Sequence, residues 1–245
     1  MVCKNCVQEI NGNFCQDCGQ KSNVKRISRE YIFQEIPDSI LQINHGFLFT
    51  IKQLTLEPGK TIAEFLEGKR QAYYKPFAFF LITSTIYLLL AYLRNTNTFI
   101  DDFVLGFKTG VNENSDSSLM TVVNLISENQ TYFILILLPL YSFASYLAFK
   151  KSIYNYYEHL VINLYITGYQ MIIYTLLGFV FYTENLLMLV PIIVGMIYNF
   201  WTFRQLFDKK KFINITLLLL LTYLIFIIEI MLLMLSFAGI SHYLK

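Results

Sequence analysis

The residues best suited to chemistry are four cysteines at the start of the chain. They form two Cys-x-x-Cys pairs, Cys3 with Cys6 and Cys15 with Cys18, and no cysteine follows them. Two such pairs can bring four thiolates around one ion, the arrangement of structural zinc sites. A head of residues 1–20 buries too little apolar surface to fold alone, so a bound metal would supply folding energy. The spacing therefore predicts one structural Zn ion, with no open position for catalysis.

Other uses of the four thiols remain open. Iron is the main competing metal, and a redox dithiol or two disulfides are the alternatives without a metal. Clustering in one short segment is unlike a disulfide framework, which spreads its bridges over a domain. A reducing cytoplasm, where the orientation argued below places the head, also disfavours disulfides.

A second group of polar residues interrupts an apolar segment. His159, Asn163, Thr167, Gln170 and Tyr174 follow one another at steps of four, four, three and four residues, which places them on one helix face. Polar side chains in a membrane helix face other helices, because lipid offers them no hydrogen-bond partner. The face is either a path for a proton, an ion or a small solute, or a set of structural interhelical hydrogen bonds, and we favour the second interpretation.

Two carboxylates accompany this polar face. Glu158 stands at its cytoplasmic end, and Glu229 lies among leucine, isoleucine and methionine near the end of the chain. A carboxyl group inside a bilayer is costly unless it is partnered, so Glu229 is a candidate functional residue. Counting about 1.5 Å per residue, Gln170 and Tyr174 lie at a matching depth. We expect Glu229 to face protein and to interact with one of them.

Membrane-spanning helices must position these residues. The chain is 55% hydrophobic and only 15% charged, and its apolar residues come in long blocks, which a small soluble core cannot hide. Only helices satisfy the backbone of such segments within a bilayer. The five predicted spans are 77–93, 131–149, 158–182, 186–203 and 212–238. The expected fold is an all-α polytopic membrane protein with a zinc ribbon at 1–20, a basic linker and amphipathic interfacial helices at 21–76, and a helical bundle at 77–245.

Basic residues predict the orientation of this bundle. With five spans, sixteen of the nineteen Lys and Arg residues fall on the same side as the N-terminus. The positive-inside rule then places the N-terminus in the cytoplasm and the C-terminus outside. Several of these side chains are expected at the membrane surface, where anionic lipid is favoured over nucleic acid as their partner. They are Lys21, Lys25, Arg26, Arg29, Lys69, Arg70 and Lys75.

Longer motifs add a resemblance to a family. After the cysteine pairs come Ile43–Thr50, Leu56–Lys60, Phe65–Arg70, Tyr74–Phe77 and, much later, Glu158–Leu160. Together they resemble an uncharacterised bacterial family of membrane proteins with an N-terminal zinc ribbon, a family with a domain of unknown function. The resemblance covers about residues 1–90 and implies a bacterial inner-membrane protein without implying an activity. We associate such proteins with histidines in the region where this chain has Tyr165 and Thr167. The absence of those histidines weakens the case for a second, intramembrane metal site.

These observations favour a non-enzymatic function. The chain has neither the His-Glu-x-x-His motif of metalloproteases nor the Gly-x-Ser-x-Gly motif of serine hydrolases, and no catalytic residue is assigned. We expect a membrane-embedded scaffold or regulatory component whose zinc head docks a protein partner. The alternative is a small channel or transporter that uses the polar face and Glu229, and an intramembrane enzyme comes third.

The predicted orientation can be tested with single cysteines. A cysteine introduced at Asn112 should react with a membrane-impermeant thiol reagent added outside intact cells, whereas one at Lys210 should not. The reverse pattern would invert the orientation, and labelling of both would show that a span has been miscounted.

Overall fold

The computed structural model describes residues 1–39, 46–94, 98, 101, 130–180, 190–207 and 212–243. Within them the chain is helical, with two isolated β-bridges in the head and no strand, so the all-α prediction is confirmed for this part of the chain. The helices are α1 (Arg29–Ser39), α2 (Gly46–Leu56), α3 (Pro58–Glu67), α4 (Pro76–Arg94), α5 (Gln130–Ala148), α6 (Tyr156–Val180), α7 (Val190–Leu206) and α8 (Phe212–Tyr243).

Helices occupy all five segments that the sequence predicts to cross a membrane. Three stretches are long and apolar enough to do so: Pro76–Arg94, Tyr156–Gly178 and Ile213–Leu232. In α5, which has 19 residues, the part whose side chains the structure describes is the apolar stretch Leu137–Ala148, and α7 has 17 residues. The predicted connection 183–185 lies outside the described residues, as does most of the loop 94–130. The structure thus supports a membrane protein with three candidate spans, and crossing by α5 and α7 stays a prediction.

Helix α6 is the centre of the bundle, because it packs against α4, α5 and α7. Its contact with α4 is close at Gly168, where an added Cβ would lie 2.8 Å from Phe79 Cδ1 and 3.2 Å from Phe80 Cα. One turn earlier, the fully buried Tyr165 donates a hydrogen bond to the carbonyl oxygen of Tyr74 at 2.6 Å. Helix α8 packs on α5 and α7 instead.

Helix α3 packs beneath the bundle, against α7 and α6. Its apolar residues Ile62, Phe65 and Leu66 are buried, so they contact protein instead of lipid headgroups. At its start, the backbone N–H of Gly59 donates to Gln205 Oε1 of α7 at 2.8 Å. The helix ends at Gly68, whose φ of 119° is the left-handed conformation that glycine adopts readily at a helix C-terminus.

Substitutions at two glycines of α6 should separate close packing from helix propensity. Gly168→Ala should destabilise the protein by about 1–3 kcal/mol, because its Cβ would force α4 away. Gly178→Ala is the matched control, since nothing lies within 4 Å of its added Cβ. Thermal unfolding in detergent should show a lower midpoint for Gly168→Ala only, and equal midpoints would contradict the close contact.

Candidate metal centre and polar cluster

The head consists of two knuckles that repeat each other at an offset of twelve residues, a repeat that the sequence analysis missed. The backbone N–H of Cys3 donates to the carbonyl oxygen of Gln8 at 2.8 Å, and the N–H of Cys15 donates to that of Gln20 at the same distance. The bridges Val2↔Glu9 and Phe14↔Lys21 follow the same offset. Backbone hydrogen bonds define this repeat. Apart from the cysteines, few residues have the same type in both knuckles, so the repeat is hard to see in the amino-acid sequence.

Each knuckle needs a left-handed residue directly after its second cysteine. In the second knuckle this residue is Gly19, with φ of 72°. In the first knuckle it is Val7, with φ of 65°. A β-branched residue is strained in this region, so the fold of the first knuckle holds Val7 against its own preference.

The four thiols are placed as a metal site requires. All four Sγ atoms lie within 4.8 Å of one another, with Cys3 to Cys18 at 3.6 Å and Cys6 to Cys15 at 3.4 Å. Tetrahedral bonds of about 2.3 Å to one zinc ion would place sulfurs about 3.8 Å apart. A disulfide needs about 2.05 Å, and the four cysteines are free. The geometry fits one tetrahedral ion that could be held by these four residues.

The thiols also compete with one another for ionisation. The backbone N–H of Cys6 is the main cause that lowers the pKa of the Cys3 thiol to about 7, against burial. The backbone N–H of Gln8 acts to lower the pKa of Cys6, but burial and the other three thiols raise it to about 12. Neighbouring thiolates repel each other, so a bound cation is the natural means of ionising all four together.

Each knuckle also holds the segment between α3 and α4. Asn5 Oδ1 accepts a hydrogen bond from the backbone N–H of Ala72 at 3.0 Å. Gln20 Oε1 accepts from the N–H groups of Arg70 at 3.0 Å and Gln71 at 3.2 Å. Three consecutive backbone donors therefore pair with side chains of the head, so the head is docked on the rest of the protein.

A salt bridge holds the linker beyond the head. Arg26 donates from Nε and Nη2 to the two carboxylate oxygens of Glu158, at 2.7 and 2.6 Å. Glu158 also accepts from the backbone N–H of Asn155 at 2.7 Å, while Asn155 Oδ1 accepts from the N–H of Glu158 at 3.0 Å. This reciprocal pair is a capping box at the start of α6. Asn155 Nδ2 further donates to the carbonyl oxygen of the buried Ile27 at 3.0 Å.

Several predicted membrane-surface cations have partners within the protein. Lys69 pairs with Glu64 at 2.8 Å, and the Arg70 guanidinium lies over the Tyr31 ring, 4.3 Å from its centroid. Arg29 lies over the Phe33 ring. Lys21, Lys25 and Lys75 are exposed or partly exposed. Contact with anionic lipid thus stays a prediction, and Arg26, Lys69 and Arg70 also have structural roles that spacing did not reveal.

The half of the polar face nearer the start of α6 meets α5. Asn163 Nδ2 donates to Ser142 Oγ at 3.2 Å and to Ser145 Oγ at 3.0 Å. Ser145 Oγ lies 3.0 Å from His159 Nδ1. All four side chains are buried. These contacts join two helices, which is the result that the structural interpretation of the polar face expects.

The other half of the polar face meets α7. Gln170 Nε2 donates to the carbonyl oxygen of Gly195 at 2.9 Å. Tyr174 packs on the same glycine, where an added Cβ would lie 2.8 Å from its hydroxyl oxygen, and its ring meets that of Tyr87. Thr167, between the two halves, is partly buried. A solute path along this face remains a prediction.

No hydrogen bond joins Glu229 to Gln170 or Tyr174 in the structure, so the predicted interaction of Glu229 with one of them stays a prediction. Within the described residues, neither carboxyl oxygen of Glu229 has a hydrogen-bond partner, although both are inaccessible to solvent. Depth counting matched α8 with α6, but α8 packs on α5 and α7. A count along helices gives depth and carries no information about which helices are neighbours.

Other polar contacts were missed altogether. Asn199 Nδ2 of α7 donates to the hydroxyls of Tyr141 at 2.8 Å and Tyr223 at 2.9 Å, which ties α5, α7 and α8 together. A signal existed for Asn155, since Asn three residues before Glu is a capping-box pattern. No sequence signal singles out Asn5 and Gln20.

Residues 44–88 match a family described as Protein of unknown function (DUF3667). The match covers α2, α3, the segment that the head binds, and the first part of α4. No curated protein and no solved structure matches the chain. The family match supports the expected resemblance to a domain-of-unknown-function family, and it carries no activity to this chain.

The twelve-residue repeat provides a matched pair of substitutions. Val7→Gly should relieve the strained φ and strengthen metal binding several-fold, because glycine adopts φ near 65° freely. Gly19→Val should weaken binding by a similar factor. Competition with a chromophoric zinc chelator measures both, and equal affinities in the two variants would contradict the strain at Val7.

Proposed function

We propose that the protein is a membrane-embedded scaffold or regulatory component whose zinc-bound head presents a docking surface at the cytoplasmic side. The observation that carries this proposal is the docking of the head through Asn5 and Gln20. A head held at a fixed position can present a partner to the bundle, whereas a head on a free tether cannot.

The exposed side of the head fits a protein partner. Val2, Val7 and Phe14 are 59%, 75% and 56% exposed, although all three are apolar. Exposed apolar side chains on a small domain are available for protein–protein contacts. Because Asn5 and Gln20 bind the α3–α4 segment, the partner would bind without displacing the head.

Zinc, five spans and the orientation complete the proposal. The set of four cysteine donors and its spacing fit zinc better than iron in a structural site. A cytoplasmic N-terminus follows from the distribution of basic residues, and the bacterial inner membrane follows from the family resemblance. Lipid is the other partner, at the apolar surface of the bundle.

A first experiment tests the metal. The purified protein should contain about one zinc ion per chain, and Cys15→Ser should lose it. Iron in a one-to-one ratio, or four alkylatable thiols without metal, would contradict a structural zinc site.

A second experiment tests the docking surface. Affinity capture of the tagged protein from native membranes should recover a specific partner with the intact chain, and should lose it when residues 1–20 are deleted. Phe14→Gln, which leaves the four thiols in place, should reduce recovery. Ile153→Gln is the matched control, because Ile153 is also apolar and exposed but lies just before α6. Recovery that is unchanged by the head deletion would refute the proposal.

A channel or transporter is the second candidate, favoured by buried polar atoms that have no hydrogen-bond partner among the described residues. Those in the helices of the bundle are His159 Nε2, Asn163 Oδ1, Asn199 Oδ1 and both carboxyl oxygens of Glu229. Such atoms cost about 1–3 kcal/mol each unless water or a solute meets them. Under this candidate, Glu229→Gln should abolish transport by a folded protein, whereas a scaffold should tolerate that change.

A further inference from the structure

We infer that metal binding in the head controls the position of the segment between α3 and α4, and that this segment in turn raises the affinity of the head for its metal. The inference concerns the head and its own chain, so it stands whether or not a partner binds the exposed side.

The first step is that the same residues serve both the metal centre and the segment. The backbone N–H of Asn5 faces Cys3 Sγ at 3.5 Å, while its side chain accepts from Ala72. The carbonyl oxygen of Gln20 accepts from the N–H of Cys15, while its side chain accepts from Arg70 and Gln71. A movement of either knuckle therefore breaks hydrogen bonds to the segment.

The second step is that the head has almost no core besides its thiols. Its buried cluster consists of Cys3, Cys15 and Ile10, with Cys6 and Cys18 packed against it. The four Sγ atoms that face one another come two from each knuckle, so a cation bound between them would hold the two knuckles against each other. Metal binding and folding of the head are then one equilibrium, and the side chains of Asn5 and Gln20 are positioned only in its folded state.

The third step is that the segment leads directly into the bundle. The N–H of Tyr74 donates to Thr50 Oγ1 of α2 at 2.8 Å, and its carbonyl oxygen accepts from Tyr165 of α6. At the other end of the segment, Lys4 of the head donates to the carbonyl oxygen of Glu67, at the last residue of α3, at 3.3 Å. Helix α4 begins two residues after Tyr74. Release of the head would leave the α3 end of this segment held by α3 and by the Arg70 side chain, which donates to the carbonyl oxygen of Lys25 and lies over the Tyr31 ring.

Reciprocity makes the inference quantitative. If metal binding favours the docked state, docking must favour metal binding by the same factor. Loss of the two hydrogen bonds to Gln20 should therefore weaken zinc binding by about tenfold, which corresponds to about 1.4 kcal/mol.

The twelve-residue repeat supplies the control. Gln8 occupies the position of Gln20 in the other knuckle and makes the same backbone hydrogen bond, but its side chain is exposed. Gln20→Met removes the acceptor for Arg70 and Gln71, whereas Gln8→Met makes the same chemical change without touching the segment.

Hydrogen exchange of the full chain in lipid nanodiscs tests the inference. Removal of Zn²⁺ by a chelator should accelerate exchange at residues 70–72 at least tenfold while the interior of α6 stays protected. Zinc-loaded Gln20→Met should show faster exchange at residues 70–71 and about tenfold weaker zinc binding, and Gln8→Met should show neither. Unchanged exchange after chelation, uniform acceleration throughout the bundle, or equal zinc affinities of the two variants would each overturn the inference. None of these measurements depends on partner capture, so failure of the proposed docking surface can be distinguished from failure of this inference.

Discussion

The buried carboxylate of Glu158 is the group around which the rest of the structure is arranged. Its side chain is only 4% exposed, and it lies in the first turn of α6, where the partial positive charge of the helix N-terminus favours an anion. Arg26 pairs with both oxygens, and the Asn155 N–H meets one of them. Glu158 thus joins the linker, through Arg26, to the first turn of α6. Since α6 contacts α4, α5 and α7, the linker is attached to the central helix of the bundle.

The salt bridge and the knuckle side chains bind the N-terminal region at two separate places. Arg26 holds the linker at α6, while Asn5 and Gln20 hold the head at residues 70–72. The matched family region, residues 44–88, includes the second of these places. A cysteine cluster attached in this way is part of the folded body of the protein, which distinguishes it from a head on a flexible tether.

Sequence reasoning succeeded where one segment carries its own signal. Long apolar blocks located the helices of the bundle, and the cysteine spacing identified four thiols that the structure brings together. It was insufficient where the outcome depends on which segments meet. Glu229 and Gln170 have matching depths, yet α8 packs on α5 and α7. Arg26 looked like a lipid contact because its partner, Glu158, lies far away along the chain.

The most direct test of this account is a double-mutant cycle at the salt bridge, with Arg26→Met, Glu158→Gln and the double variant. Arg26→Met alone should cost about 2 kcal/mol or more, because it leaves a buried carboxylate without its cation. Glu158→Gln should restore much of that loss in the double variant, since no buried charge then remains. Equilibrium unfolding in mild detergent measures the four free energies. A coupling of at least about 1 kcal/mol is predicted, and strictly additive effects would show that the linker and the bundle are not joined through this pair.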